Sequence, residues 1–263
     1  MGHDSQTAGY LIQFDEKLAR FYQRLANYLE DPNVDNIHDV RTSFRRLEAC
    51  YSIFPGASKT KSTENFMKLG KKFFRLNSAV RDSDIMLEKL HVQQPGSSPI
   101  SEYLHQIRAQ SLEQAMIVGR QLALLPLPRI RYRNRQLDQR LQHQVEKRIN
   151  NILHFIPLIR NDENNVDELH AMRKQAKKLF YLLELDNPAD CPAMINLKKL
   201  QSVAGAIHDC DVTLEFLHQH AELIPHEDAL VKTEQRKRHS CYKKLLSQLG
   251  REPWKPLWKL ASN

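Results

Sequence analysis

Apolar residues recur three and four positions apart over long stretches of this chain, the spacing that lines one side of an α-helix. Read between proline- and glycine-marked breaks, the pattern predicts helices over residues 10–30, 36–54, 62–92 with a break near Asp82, and 101–125. The same order returns further on, with helices expected over 135–159, 167–185, 194–207, 209–221 and 226–248. No alternating run of Val, Ile, Thr or Tyr bounded by hairpin turns is present, and only eight glycines occur in 263 residues, so strands are hard to place. The expected fold class is all-α.

Two ordered motifs repeat. His38, Arg41, Arg45, Arg46 and Leu47 return as His170, Arg173, Lys177, Lys178 and Leu179, an offset of 132. Downstream, Arg81, Asp82 and Asp84 return as His208, Asp209 and Asp211, an offset of 127. Two motifs in one order at nearly constant offset point to duplication of a four-helix unit. The chain is therefore divided near Pro126 and Pro128 into two domains, residues 1–126 and 127–263. The arginines that follow, Arg129, Arg131, Arg133 and Arg135, read as a solvated linker or helix start.

The helical wheel separates two faces in each His-containing segment. Val40, Phe44, Leu47, Tyr51 and Phe54 gather on one side, with His38, Arg41, Thr42 and Arg45 roughly opposite. In the second copy Met172, Ala176, Leu179 and Leu183 form the core side, and His170, Arg173, Lys174, Lys177 and Tyr181 share the other. A third stripe, Lys68, Lys71, Lys72 and Arg75, opposes Phe66, Leu69, Phe73, Leu76 and Val80; its counterpart in the second half keeps only Lys198 and Lys199. Further cations, Arg20, Arg24, Arg140 and Lys147, punctuate the first helix of each half. Like charges stacked at these spacings repel by a few tenths of a kcal/mol per pair, which an anion on the stripe would relieve.

Composition narrows the classes. Lys and Arg number 39 against 31 Asp and Glu, a formal charge of +8, and hydrophobic residues make up 41%. No apolar run reaches the roughly 18 residues of a membrane helix, and the first residues lack a basic segment followed by an apolar core, so neither a membrane span nor a secretory signal is expected. The four cysteines, Cys50, Cys191, Cys210 and Cys241, show no paired spacing and read as reduced thiols of a cytoplasmic protein. No metal or cofactor is expected. The Asp82/Asp84 and Asp209/Asp211 pairs invite a hydrated-cation reading, but an aspartate that caps a helix or pairs with a buried arginine explains the recurrence as well.

These residues resemble a family. The pattern of His38 to Leu47, its echo at His170 to Leu179, and the paired aspartates at 81–85 and 208–212 are similar to the CHAD domain, the conserved histidine α-helical domain, over nearly the whole chain. The resemblance implies two four-helix bundles related by a pseudo-twofold axis, basic side chains lining a central groove or pore, binding of inorganic polyphosphate, and no catalysis. It carries His38, Arg41, Arg45 and Arg46 onto the first family motif and His170, Arg173, Lys177 and Lys178 onto the second. Two positions depart from the family pattern: Ser78 stands where glycine is usual, a place Gly205 keeps, and His208 replaces the usual Arg or Asn.

Physical chemistry points to the same ligand. A polyanion with a charge on every phosphate suits rows of guanidinium forks and ammonium point charges. His38 and His170 could add neutral N–H donors at any pH. Three other classes compete. Backbone phosphates of nucleic acid would satisfy the same cations, but only Tyr181 offers a base-stacking surface on the stripes. A histidine phosphotransfer protein would have an HxxKG-like motif, and Thr42 and Lys174 occupy the place of its small fourth residue. An enzyme of the triphosphate tunnel type that accompanies this domain would carry ExExK, which is absent. The expectation is a non-enzymatic polyphosphate-binding protein of the cytoplasm, recruited to polyphosphate granules.

Overall fold

The computed structural model describes residues 2–93, 98–131, 136–187, 191–223 and 227–250. Eight helices account for nearly all of them: α1 (Gly2–Glu30), α2 (Val34–Ile53), α3 (Lys61–Gln93), α4 (Pro99–Leu124), α5 (Leu137–Asn161), α6 (Val166–Leu183), α7 (Pro192–Gln219) and α8 (Glu227–Gly250). Among the described residues no strand forms, apart from one isolated bridge between Lys59 and Ile130. The chain is all-α and divides into two compact units, Met1–Arg140 and Leu141–Asn263.

Helix ends follow from local chemistry. Asn33 caps α2 by accepting from the Asn36 N–H at 2.9 Å, which satisfies one of the first-turn donors a helix leaves open. Ser98 and Ser101 form a reciprocal capping box on α4, with Pro99 in the first turn where a missing N–H costs nothing.

In the first unit α1 packs on α2, α2 on α3, α3 on α4, and α4 returns to α1, a four-helix bundle. Its core is aromatic. Phe14, Phe21 and Tyr28 lie one heptad apart on α1; Phe14 meets Phe54, Phe21 meets Phe44 and Phe66, and Tyr28 meets Phe73, all at most 1% exposed. Ring centroids stand 5.6 Å apart for Phe21 and Phe44 and 5.1 Å for Tyr28 and Phe73. Gly70 makes the α2–α3 approach possible, because a Cβ there would meet Phe44 Cε2 at 2.2 Å. The segment beyond α4 stays with this unit: Thr63 Oγ1 donates to the Arg129 carbonyl at 2.8 Å, and the Arg131 N–H to the Ser58 carbonyl at 3.1 Å. Arg133 and Arg135 lie outside the described residues.

In the second unit α6 packs on α7 and α7 on α8. Helix α5 is tied in by Arg148, which donates to Gln175 Oε1 at 3.0 Å, and by the Tyr242 hydroxyl, which donates to the Ile159 carbonyl. Met172, Ala176, Leu179, Leu197, Ala204, Ile207 and Leu245 are fully buried between them.

The break expected near Asp82 and the helix start expected at Asp209 do not occur. Both aspartates lie within continuous helices. The buried faces run straight through, with Ser83 and Met86 in α3 and Cys210 and Thr213 in α7, and neither site contains a proline. The Ser83 and Thr213 hydroxyls donate back to carbonyls four residues earlier, so their polar atoms are satisfied inside the helix. None of the described helices is long and apolar enough to cross a membrane. All four cysteines are free thiols, and burial pushes Cys50 up to about 12.

Candidate anion-binding seams

Two of the expected cations of the first unit meet α3 along its seam with α2. Arg41 and Arg45, one turn apart on α2, both lie over the Phe74 ring of α3, at 5.0 and 4.6 Å from its centroid. Arg41 is half-buried and holds α3: it donates to the Asn77 carbonyl at 3.1 Å and to Ser78 Oγ at 3.2 Å. Ser78, at the position where the family pattern has glycine, thus serves as an acceptor for the motif arginine. Arg45 instead stacks on Phe74 and makes no hydrogen bond with any described residue, so its donors stay available. His38 is exposed and faces Thr42 Oγ1 at 3.5 Å, and Arg46 is half-buried.

Lys68, Lys71, Lys72 and Arg75 are all exposed on α3. Lys71 reaches Glu48 of α2 at 3.3 Å, with side chains 59% and 39% exposed, a pair weak enough to yield to a phosphate. Lys68, Lys72 and Arg75 pair with no acid among the described residues. The remaining first-unit candidates lie elsewhere. Arg24 is engaged by Asp39 at 2.9 Å between α1 and α2, Arg20 is exposed on α1, and Arg140 donates to the Ile53 carbonyl at the end of α2.

The second unit builds the matching seam between α6 and α7 differently. Lys174 and Lys178 are exposed and Arg173 and Lys177 half-buried on α6; Lys198 and Lys199 are exposed on α7, and Lys147 on α5. His170 is drawn inward rather than lying on a wet face. Its Nε2 sits 3.2 Å from Asp211 Oδ2 and 2.9 Å from His208 Nδ1, both on α7. Asp211 also accepts from Arg238 of α8, whose guanidinium reaches Glu163 Oε1 at 3.0 Å and the Glu163 carbonyl at 2.9 Å. Glu163 in turn binds His239 Nδ1 at 2.7 Å. Burial opposes the charge on Asp211, but the bonds from His170 and Arg238 hold its carboxyl below the usual carboxylate range.

The second aspartate of each pair therefore works as an interhelical anchor. Asp84 of α3 takes Arg108 of α4 at 2.6 Å, as Asp211 of α7 takes Arg238 of α8. Of the two explanations the sequence left open beside a metal, the structure contains the pairing with a buried arginine: Arg238 is 8% exposed. Sequence periodicity gave no site role to Phe74, Arg108, Arg238 and Glu163, because each meets its partner from another helix or, for Glu163, from the turn after α5. The only signal was the recurrence of the aspartates. Among the described residues no three His, Cys, Asp or Glu side chains gather into a metal-holding group.

Comparison with known proteins agrees with this architecture. The family model of the CHAD domain matches residues 12–218. No curated protein matches the sequence. Two solved structures share the fold: PptA from Streptomyces chartreusis, at 13% identity and a TM-score of 0.70 over 93% of this chain and 99% of that one, and the CHAD domain from the plant Ricinus communis, at 16% identity and a TM-score of 0.52 over 92% and 91%. The family match takes in α2, α3, α6 and α7, the four helices that form both basic seams, and this chain belongs to the CHAD domain family.

Proposed function

We propose that this chain binds inorganic polyphosphate through the basic seams of its two units, catalyses no reaction, and acts in the cytoplasm at polyphosphate granules. One observation carries the reading. Arg45 is stacked on Phe74 with its donors unspent, and the same α3 exposes Lys68, Lys72 and Arg75, which have no acidic partner among the described residues. An arginine held by an aromatic face loses little freedom on gaining a ligand, and its fork matches phosphate oxygens two at a time. Several cations in one row suit a chain of phosphates better than a single one. Family membership supports the same ligand.

The test is calorimetric titration of the chain with long polyphosphate, tripolyphosphate and orthophosphate. Long polymer should bind far more tightly than the short anions, and its affinity should fall steeply with salt, by analogy with a slope of about 0.7 per phosphate contact on single strands. Replacing Arg45 and Lys72 together by Gln should weaken binding by about tenfold or more, since each charge-assisted bond is worth about 1.5–3 kcal/mol. The thermal melt should stay unchanged. Equal affinity for orthophosphate and long polymer, or wild-type binding by the double variant, would refute the proposal.

A further inference from the structure

Resting on the reading that the seams take polyphosphate, we propose that His208 is a phosphate-oxygen donor of the second unit, its N–H fixed on Nε2 by a relay from Asp211 through His170. The donor assignment follows from the geometry. Asp211 is 8% exposed in its side chain, accepts from Arg238 on Oδ1 and faces His170 Nε2 with Oδ2. A carboxylate only accepts, so His170 carries a proton on Nε2. That same nitrogen lies 2.9 Å from His208 Nδ1, with the two rings crossed at 84° and their centroids 4.4 Å apart. Facing an N–H, His208 Nδ1 presents its lone pair, and the single proton of the neutral imidazole sits on Nε2.

The charges around the ring keep it neutral. Burial acts first, then Arg173, His170 and Lys177, and together they outweigh the pull of Asp211 and lower His208 to about 3. A neutral donor beside Arg173 and Lys177 offers a phosphate oxygen one more hydrogen bond without adding to the repulsion between the cations. A protonated histidine or an arginine there would add to it.

The first unit holds no such relay. Arg81 stands at the position of His208, His38 is exposed and turned to Thr42, and Asp84 Oδ2 is buried with no hydrogen-bond partner although Arg108 holds Oδ1. His170 fills in the second unit the acceptor that the first leaves open. The relay also occurs in the unit whose third-helix stripe is reduced to Lys198 and Lys199.

Two variants and one spectrum test this on the full chain. In calorimetric titration with long polyphosphate, His208→Leu should bind about tenfold more weakly, the loss of one charge-assisted donor. His208→Gln, whose amide can replace the Nε2 donor, should recover most of that loss. Nitrogen-15 NMR of the ligand-free protein should show His208 protonated on Nε2 and bare on Nδ1, and His170→Leu should turn that pattern into a mixture of tautomers. Wild-type affinity in His208→Leu, an equal loss in both variants, or a proton on His208 Nδ1 would overturn the assignment. A wild-type chain that ignores polyphosphate would overturn the functional reading and the donor role with it, while the nitrogen spectrum would still judge the relay separately.

Discussion

Gly70→Ala is expected to destabilise the first unit even though alanine is the better helix former. Within α3 the exchange gains about 1 kcal/mol of helix propensity. Against that gain, the new Cβ would stand 2.2 Å from Phe44 Cε2 and 2.6 Å from Cζ, where ordinary contact needs more than 3.4 Å. The ring must move by over an ångström. It has no room to do so: Phe44 is 1% exposed and lies between Phe21, at 5.6 Å, and Phe74, at 6.3 Å between centroids. Overpacking of a tight core costs about 1–3 kcal/mol, and the misplaced ring has no room to give, so the net expectation is a loss of up to about 2 kcal/mol. The effect should reach the basic seam, because Phe44 stacks on the ring that carries Arg41 and Arg45. Gly205→Ala is the control. A Cβ there meets nothing within 4 Å, and the same propensity gain should appear as stabilisation. Urea denaturation read by hydrogen exchange on α2, α3 and α7 separates the units. If both variants were stabilised alike, the close approach at Gly70 would be refuted.

Three further outcomes follow from the geometry. Arg238→Met should cost the second unit about 3–5 kcal/mol in chemical denaturation, since it strands the buried Asp211 carboxylate, whereas a loss near zero would mean that the anchor carries no weight. His208 is held to about 3 when folded and rises to about 6.5 when unfolded; the unfolded chain therefore binds the extra proton between those values, and stability should fall as pH drops from about 6.5 towards 3. His208→Gln should flatten that part of the curve, leaving the contribution of Asp211, whose depressed carboxyl loses its stabilisation only at lower pH; an unchanged curve would contradict the reading. Finally, replacing Lys71 and Arg75 by Ala should lower polyphosphate affinity more than replacing Lys198 and Lys199, and equal losses in titration would show that the wrong face of α3 has been chosen.

Fold class was legible because it rests on local periodicity. Val40, Phe44, Leu47 and Phe54, and likewise Met172, Ala176, Leu179 and Leu183, are buried as their spacing predicts. What periodicity could not supply was the state of residues on the opposite face. Arg41 and His170 fall opposite the apolar stripe, where an anion is expected, yet each reaches a neighbouring helix, α3 and α7 respectively, for a partner that no spacing rule connects to it. Helix continuity failed for a related reason. Asp82 and Asp209 look like helix breaks or caps when seen alone, and only the packing of Ser83, Cys210 and Thr213 keeps the helices whole. Phe74 sits among basic residues in sequence, and its role as a platform depends on Arg41 and Arg45 arriving from α2.

The proposed function requires the seams to select a dense chain of phosphates rather than the phosphodiester backbone of a nucleic acid. Competition at one fixed salt concentration tests it most directly, with labelled long polyphosphate bound to the full chain and single-stranded RNA and DNA of matched charge as competitors. The seams should hold polyphosphate against both nucleic acids, because polyphosphate presents its charges more densely than a phosphodiester backbone and Phe74, the aromatic ring on the first seam, is already covered by Arg41 and Arg45. Displacement of the polyphosphate by either nucleic acid at equal phosphate concentration would rule out a polyphosphate-selective seam.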